Sequence, residues 1–341
     1  MLSFARPAAR SAAARPAVAR PAARAFALVG SLVAGALALS ACGAPSAASP
    51  SSSSSAGPIP VVASTNVYGD IVKQIGGDKV SVASIVSKAS QDPHSYEATS
   101  QDRVAVSKAK LVVLNGHGYD DFMVKLANEA KLSGDSLLNA VEESGLHHDG
   151  ASPSAGAGAS AAAKDDFNEH IWYSQDAMTK VAEAIAAKLG KLDPADAQSF
   201  KDRAAQWEGK LSGITSKLAA IKAAHHGEGV AITEPVPLYM LETAGLENKT
   251  PEEFSAASEA GDDVPPAALK GMQDLISSHA VKLLAFNPQT ETQQILALKK
   301  FAEDAKLPVV DFYETMPEGS DYVGWMTSNA DALAKALGGA N

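Results

Sequence analysis

Residues 111–118 read LVVLNGHG, four consecutive apolar residues followed directly by a polar turn with two glycines. A short apolar run bounded by such a turn is typical of a strand that is buried on both faces, and strands of this kind belong to parallel sheets. Helical patterns flank the run, at about 100–109 before it and 119–129 after it. The stretch therefore predicts a buried strand in a βαβ arrangement, with helices covering the sheet.

The same alternation of short apolar strands and helices runs through the rest of the chain. The halves show no detectable sequence repeat. The further predicted strands are 61–64, 79–86, 230–232, 281–286 and 309–312. The further predicted helices are 67–75, 175–189, 237–244, 265–278, 289–305 and 322–337.

A helical pattern of about 30 residues lies between the two halves, and a helix of that length is a rod of roughly 45 Å. It extends to about Ala224, with Asp193 as the predicted N-cap and Pro194 in the first turn. We therefore predict an α/β protein with two α/β domains of mostly parallel sheets, joined by one long rigid helix. The predicted segments are a signal peptide (1–41), a lipidated cysteine with a flexible tether (42–58), an N-terminal domain (59–190), the linking helix (191–227) and a C-terminal domain (228–341).

The first 41 residues have the charge order of a secretion signal, with five arginines, no acid and then the apolar run 26–39. That run of about 14 residues is too short to span a bilayer comfortably. Leu39-Ser40-Ala41-Cys42 resembles a bacterial lipobox, which predicts lipidation of Cys42 and anchoring to the outer face of the cytoplasmic membrane. The alternative is a leftover cysteine in an ordinary signal peptide. Cys42 is the only cysteine, so an internal disulfide is excluded.

The net charge argues against one class of partner, and a second low-complexity segment interrupts the predicted N-terminal domain. Removing the five signal arginines takes the formal charge from −10 to −15, which argues against nucleic acid and mildly favours cationic ligands. Residues 149–163 are rich in Ala, Gly and Ser and predict a mobile loop within the N-terminal domain. His147 and His148 stand at its entrance. They could scavenge metal, but a solvated loop is the favoured interpretation.

Four polar side chains are candidate metal ligands: three follow predicted strands, and the fourth follows the predicted mobile loop and lies just before a helix. In parallel folds, loops at the carboxyl ends of strands bind small ligands, and a cleft between the domains could gather all four. Each alone is as well explained by a structural role, since Asp-Pro, for example, is common turn chemistry. They are His94 in SQDPHSYE (90–97), His170 in NEHIWYS (168–174), Glu234 in ITEP (232–235) and Glu314 in FYETMP (312–317).

The chain from about Val61 onward resembles the bacterial solute-binding lipoproteins that deliver zinc or manganese to ABC importers. A D-P-H-x-Y-E type motif of that family is matched at 92–97, and a D-P-H-x-W type motif at 168–172, where Asp-Pro is replaced by Asn168-Glu169. Asn115-Gly116 after a hydrophobic strand and the long helix also fit. The resemblance implies that His94 and His170 are the first two ligands, in a cleft between the domains.

The resemblance also implies the third and fourth ligands. The third is His in many zinc binders and Glu in manganese binders, and Glu234 occupies that place. The fourth is usually Asp; Glu314 matches it in position with one extra methylene, and Asp311 is a possible substitute. Two neutral imidazoles and two carboxylates would neutralise Zn²⁺ or Mn²⁺, between which the sequence does not choose. Because the histidines must be neutral, affinity should fall as the pH drops through their pKa range.

The implied function is capture of a divalent metal outside the membrane and its delivery to the permease of an ABC importer, by a monomer and without catalysis. The alternatives are a secreted metal-dependent hydrolase and a surface adhesin lipoprotein. No H-E-x-x-H or G-x-S-x-G motif supports the hydrolase. A structural role is favoured for the other histidines and for two tryptophans, namely His117, His225, His226, His279, Trp172 and Trp207.

Overall fold

The computed structural model describes residues 57–146 and 167–338. Its strands are β1 (Ile59–Thr65), β2 (Val80–Val86), β3 (Leu111–Leu114), β4 (Leu137–Asn139), β5 (Gly229–Ile232), β6 (Glu247–Asn248), β7 (Leu284–Phe286) and β8 (Val309–Asp311). Its helices are α1 (Asn66–Gly76), α2 (Ser100–Lys108), α3 (Asp121–Glu129), α4 (Ala140–Ser144), α5 (Gln175–Leu192), α6 (Ala197–His225), α7 (Leu238–Thr243), α8 (Glu252–Glu259), α9 (Pro266–Ser277), α10 (Gln293–Asp304) and α11 (Tyr322–Ala336).

The strands form two parallel sheets with the same strand order. The first has the order β2-β1-β3-β4 and the second β6-β5-β7-β8. Every pair in the described sheets is parallel, as in the register of Val61 with Leu111 and of Ala231 with Leu284. The predicted α/β class with parallel sheets is confirmed. The shared strand order reveals a structural repeat for which the two halves show no detectable sequence counterpart.

Strand β3 is buried along its whole length, as its four apolar residues predict. It belongs to a core that continues from the first sheet through α5 and α6 to β5 and α11. This continuous apolar packing holds the loops that follow the strands of both sheets in fixed positions.

Helix α6 contains 29 residues and is therefore about 43 Å long. Its buried residues recur every three or four positions and form one apolar stripe: Phe200, Ala204, Trp207, Leu211, Ile214, Leu218 and Ile221. The stripe packs against neighbouring helices, as where the ring of Trp207 lies 5.3 Å from that of Tyr322 in α11. The long helix is thus confirmed, and it is packed against the core along its length.

The start of α6 differs from the prediction. The N-cap is Asp196, whereas Asp193 is the C-cap of α5, and its backbone N–H donates to the carbonyl of Leu189 at 2.9 Å. A salt bridge of 2.6 Å joins Asp196, in the turn between α5 and α6, to Lys79, which directly precedes β2 of the first sheet. The local Asp-Pro signal therefore does not mark the start of this helix.

Four short elements were not predicted: β4, α4, β6 and α8. The strands contain three and two residues, too few for an alternating pattern to be visible. Helix α8 buries only Phe254 and Ser258, so its amphipathic pattern is weak. Within the described residues, no helix is both long enough and apolar enough to cross a membrane. The predicted signal, Cys42, His147, His148 and the segment 149–163 lie outside the described residues.

The turn after β3 is held by buried Asp120. Its carboxylate accepts hydrogen bonds from the backbone N–H of Asn115 at 2.6 Å and of Gly116 at 2.8 Å. Gly116 has a φ of +87°, and a Cβ there would collide with the side chain of Asn139. Asn115 in turn accepts a hydrogen bond from the hydroxyl of Tyr68. The sequence NGHGYD therefore forms a rigid turn at the carboxyl end of the strand.

We expect Asp120→Ala to destabilise the protein by roughly 3 kcal/mol, because it leaves two buried N–H groups without their acceptor. Denaturant unfolding monitored by circular dichroism measures this loss. Asp121→Ala is the matched control, since this neighbouring side chain is exposed in the first turn of α3 and should cost less than about 1 kcal/mol. Equal losses in the two variants would contradict the role of Asp120.

Candidate metal centre

The predicted ligands lie in loops at the carboxyl ends of strands in both sheets. His94 follows β2, Glu234 follows β5, and Glu314 follows β8. His170 immediately precedes the short 3₁₀ turn Ile171–Tyr173, which leads into α5. Three of the four come together, because donor atoms of His94, His170 and Glu314 all lie within 4.8 Å of one another.

The turn that carries His94 is built by its own aspartate. Asp92 Oδ1 accepts a hydrogen bond from the backbone N–H of His94 at 2.9 Å, and Oδ2 accepts one from the hydroxyl of Ser95 at 2.7 Å. Pro93 is buried beneath the turn. The His94 side chain is 29% exposed, and its ring packs edge-on against Tyr119 with centroids 5.0 Å apart. His94 therefore stands at the accessible side of the group.

His170 is 1% exposed, and Asn168 orients its ring. Asn168 Oδ1 accepts from the backbone N–H of His170 at 3.1 Å and lies 2.7 Å from its Nδ1. The amide orientation is fixed because Asn168 Nδ2 donates to the carbonyl of Pro235 at 3.0 Å. Since Oδ1 can only accept, Nδ1 carries the proton, and the lone pair of Nε2 is left for a metal. Asn168 thus occupies the position that Asp92 occupies in the first motif.

Asn168→Ala should lower metal affinity by about 10- to 100-fold, the cost typical of losing a partner that orients a ligating histidine. Asn168→Asp should retain most of the affinity, because a carboxylate oxygen can accept the same Nδ1–H bond. Competition titration against a chromophoric chelator measures both variants. Equal affinities in the alanine and aspartate variants would show that the ring needs no such support.

Asn287, which follows β7, joins the two buried glutamates. Its Nδ2 donates to Glu234 Oε2 at 2.6 Å and to Glu314 Oε1 at 2.8 Å. Glu234 also accepts from Ser258 at 3.3 Å and from the hydroxyl of Thr290. Glu234 therefore lies beside the group formed by His94, His170 and Glu314. Its oxygens are not within 4.8 Å of the donor atoms of all three residues.

Glu314 fits the role of a metal ligand because one of its carboxylate oxygens accepts no hydrogen bond. The residue is 1% exposed, yet Oε2 accepts no hydrogen bond from any residue that the structure describes. A buried carboxylate oxygen without a donor is costly, and a cation would offset that cost. The donor set of imidazole nitrogen and carboxylate oxygen suits Zn²⁺ or Mn²⁺.

Burial determines the protonation of the site. It lowers the pKa of His94, and it lowers the pKa of His170 well below its ordinary value. It also raises the pKa of Glu234 to about 7, and burial together with neighbouring Glu234 raises the pKa of Glu314 to about 8. The histidines are therefore neutral near pH 7, whereas Glu314 is mostly protonated and Glu234 about half protonated, and a cation must displace these protons.

The other candidate residues lie apart from these donors. Asp311 is exposed at the end of β8, 3.5 Å from Lys299 Nζ, so the structure favours Glu314 over it. His117 has a left-handed φ of +54° and packs against Phe167. His225 Nδ1 lies 3.2 Å from Glu228, and His226 and His279 are exposed. Trp172 and Trp207 are buried in the core, as predicted.

The sequence patterns did not point to a second group of donors. Glu169, His170 and Glu259 also place ligand atoms within 4.8 Å of one another. The available signal was Glu169 itself, because it stands where the family motif has proline. Glu259, at the end of α8, lies in a segment for which no element was predicted, so no pattern placed it near the cleft.

Comparison with solved structures identifies the fold. The periplasmic zinc binding protein TroA from Treponema pallidum aligns with a TM-score of 0.64 at 20% identity, covering 83% of this chain and 99% of that one. A Mn-bound periplasmic metal binding protein from Candidatus Liberibacter asiaticus aligns with a TM-score of 0.63 at 20% identity, covering 81% and 98%. The fold is that of periplasmic metal-binding proteins.

Comparison of sequences identifies the family to which this chain belongs. The family model described as zinc-uptake complex component A, periplasmic, matches residues 61–336, and the chain belongs to this family. The manganese ABC transporter substrate-binding lipoprotein scaA of Streptococcus gordonii is 24% identical over 303 residues, covering 83% of this chain and 90% of that protein. The metal ABC transporter substrate-binding lipoprotein ScbA of Streptococcus cristatus is 32% identical over 158 residues, covering 45% and 48%.

Family membership confirms the resemblance that was inferred from the motifs. The family consists of solute-binding proteins for transport, which confirms the prediction of a binding protein rather than an enzyme. Neither the hydrolase nor the adhesin alternative gains support from it.

Proposed function

We propose that this protein is the extracytoplasmic metal-binding component of an ABC importer, which captures Zn²⁺ or Mn²⁺ in a cleft and delivers it to a membrane permease. The observation that carries the proposal is the convergence of His94, His170 and Glu314 in one place, although they lie far apart in the chain. The names of the relatives, which include manganese and zinc binders, agree with this cargo.

The proposed ligands are His94, His170, Glu314 and Glu234. Asn287 donates to both glutamates and so places Glu234 beside Glu314. Oε1 of Glu234 accepts two hydrogen bonds, whereas Oε2 accepts only one and keeps a lone pair for a metal. Four protein ligands would close the first coordination shell, which suits carriage because catalysis requires an open position for water. Two carboxylates and two neutral imidazoles would neutralise a divalent ion.

Both metals remain part of the proposal. The oxygen-rich donor set resembles that of the manganese binders, whereas the Irving–Williams order favours Zn²⁺ over Mn²⁺ at nearly any such site. The metal carried in the cell would then depend on availability as well as on the ligands.

We further propose that the protein is a monomer anchored by lipid on Cys42 to the outer face of the cytoplasmic membrane. The lipobox-like sequence 39–42 and the serine-rich tether after it support this location. The same proposal includes the domains 59–190 and 228–341 with the linking helix 191–227. A Cys42→Ala variant should leave the membrane fraction while it keeps its metal affinity.

Titration of the full-length chain, purified in a mild detergent and stripped with chelator, tests the function. We expect one Zn²⁺ or Mn²⁺ per chain, with the affinity strongly weakened in His94→Ala and Glu234→Ala. A His226→Ala variant is the control, because this histidine is exposed beyond the end of α6. Binding that is undiminished in both ligand variants would contradict the proposed site.

A further inference from the structure

The cleft contains more carboxyl groups than one divalent ion needs. Besides Glu234 and Glu314, two further carboxylates face His170, those of Glu169 and Glu259. Glu169 also lies beside the other histidine, with Oε1 at 3.8 Å from His94 Nε2. Two carboxylates already balance a divalent ion, so the second pair calls for a separate explanation.

His170 is shared between the two groups of donors, but it can serve only one ion at a time. Its Nδ1 is engaged by Asn168 Oδ1 at 2.7 Å, which leaves Nε2 as the available lone pair. An ion held with Glu169 and Glu259 and an ion held with His94 and Glu314 would compete for this nitrogen. Occupation of the two groups is therefore mutually exclusive.

The carboxylates of the two groups differ in accessibility, although His94 of the first group is the most exposed donor, with 29% of its side chain accessible. The glutamates of the buried site, Glu234 and Glu314, are 3% and 1% exposed. In contrast, the side chain of Glu169 is 14% exposed, and Glu259 is partly exposed at the end of α8. Carboxylates that reach solvent can meet a hydrated cation before it loses its water.

We propose that Glu169, His170 and Glu259 form a second position for the same divalent transition-metal ion, occupied in alternation with the buried site. The ion passes between the two positions while His170 stays bound. Two nearby positions with a common ligand let the ion move without complete release. This inference rests on the proposed function.

Double variants with Zn²⁺ as the probe test the second position at equilibrium. Glu314→Gln weakens the buried site, and we expect a residual single Zn²⁺ per chain. Adding Glu259→Gln should lower the residual affinity at least about tenfold, because it removes a ligand. Adding Glu253→Gln instead should not, since Glu253 is an exposed acid in the first turn of the same helix. Thermal unfolding confirms that each variant is folded.

Loading kinetics supply a second readout. The indole of Trp172 lies 5.2 Å from the ring of His170, so its fluorescence should report ion arrival in a stopped-flow experiment. Glu169→Gln and Glu259→Gln should each slow Zn²⁺ loading by about tenfold, within the range that charged clefts contribute to association. Glu253→Gln should leave the rate unchanged.

Three results would overturn the second position: equal residual affinities in the two double variants, complete loss of Zn²⁺ in Glu314→Gln alone, or loading rates unchanged in both single variants. In each case the unaltered chain would still bind one ion, and the proposed function would stand. If the unaltered chain bound no Zn²⁺, the proposed function would fail together with this inference.

Discussion

Replacing His170 with alanine should lower the affinity for Zn²⁺ or Mn²⁺ by more than about 100-fold, beyond what the loss of an orienting partner costs. This is the largest effect expected of any single change, because His170 belongs to both groups of donors in the described residues. Its burial at 1% exposure also prevents water from replacing the lost nitrogen easily. Competition titration against a chelator of known affinity measures the loss.

His225→Ala is the matched control for this variant. His225 lies in the last turn of α6, where its ring contacts Glu228, and it belongs to neither group of donors. Its replacement should change the affinity less than about twofold, since it is not a ligand. If His170→Ala kept the affinity of the unaltered chain, the ion would have to bind elsewhere.

The affinity for the metal should fall on the order of 100-fold between pH 8 and pH 6. Both buried carboxyl groups bind protons in this range, because burial raises the pKa of Glu234 to about 7 and, with neighbouring Glu234, that of Glu314 to about 8. Protons and metal compete for the same oxygens, so binding releases protons and weakens as the pH falls. Calorimetry in buffers of different ionisation enthalpy counts the protons released.

A Glu234→Gln variant tests the cause of this dependence. It removes one titrating group with a pKa of about 7, which is half protonated at that pH, so the number of protons released near pH 7 should fall by at least about one half. The sequence predicted a fall in affinity governed by histidine, but burial lowers the pKa of both imidazoles and moves that titration below neutral pH. An affinity that stayed constant from pH 8 to pH 6.5 and fell only below would favour the histidines as the cause.

Much of the fold could be predicted because its signals are local. The run 111–114 is buried throughout, and the stripe from Phe200 to Ile221 follows the helical period. Where tertiary contacts decide, prediction failed. Asp193 carries a helix-start signal but ends α5, and β6 is only two residues long and is set by pairing with β5. No local pattern contains such contacts.

The candidate site shows the same difference between residues that a local sequence signal reveals and residues that only tertiary contacts reveal. His94 and His170 could be located because each lies in a short motif, and Glu314 because it follows a late strand. The motif did not reveal that Asn168 holds His170 through both its backbone and its ring. Asn287 and Glu259 escaped detection because only folding brings them to the cleft, from loops or helix ends that have no distinctive sequence.

The most direct test of the central claim is anomalous diffraction from crystals of the Zn²⁺-loaded protein, measured on both sides of the zinc absorption edge. The proposal predicts a single strong peak about 2.0–2.2 Å from donor atoms of His94, His170 and Glu314, which are the usual zinc–nitrogen and zinc–oxygen distances. A peak elsewhere on the molecule, with His170 free of metal, would contradict it.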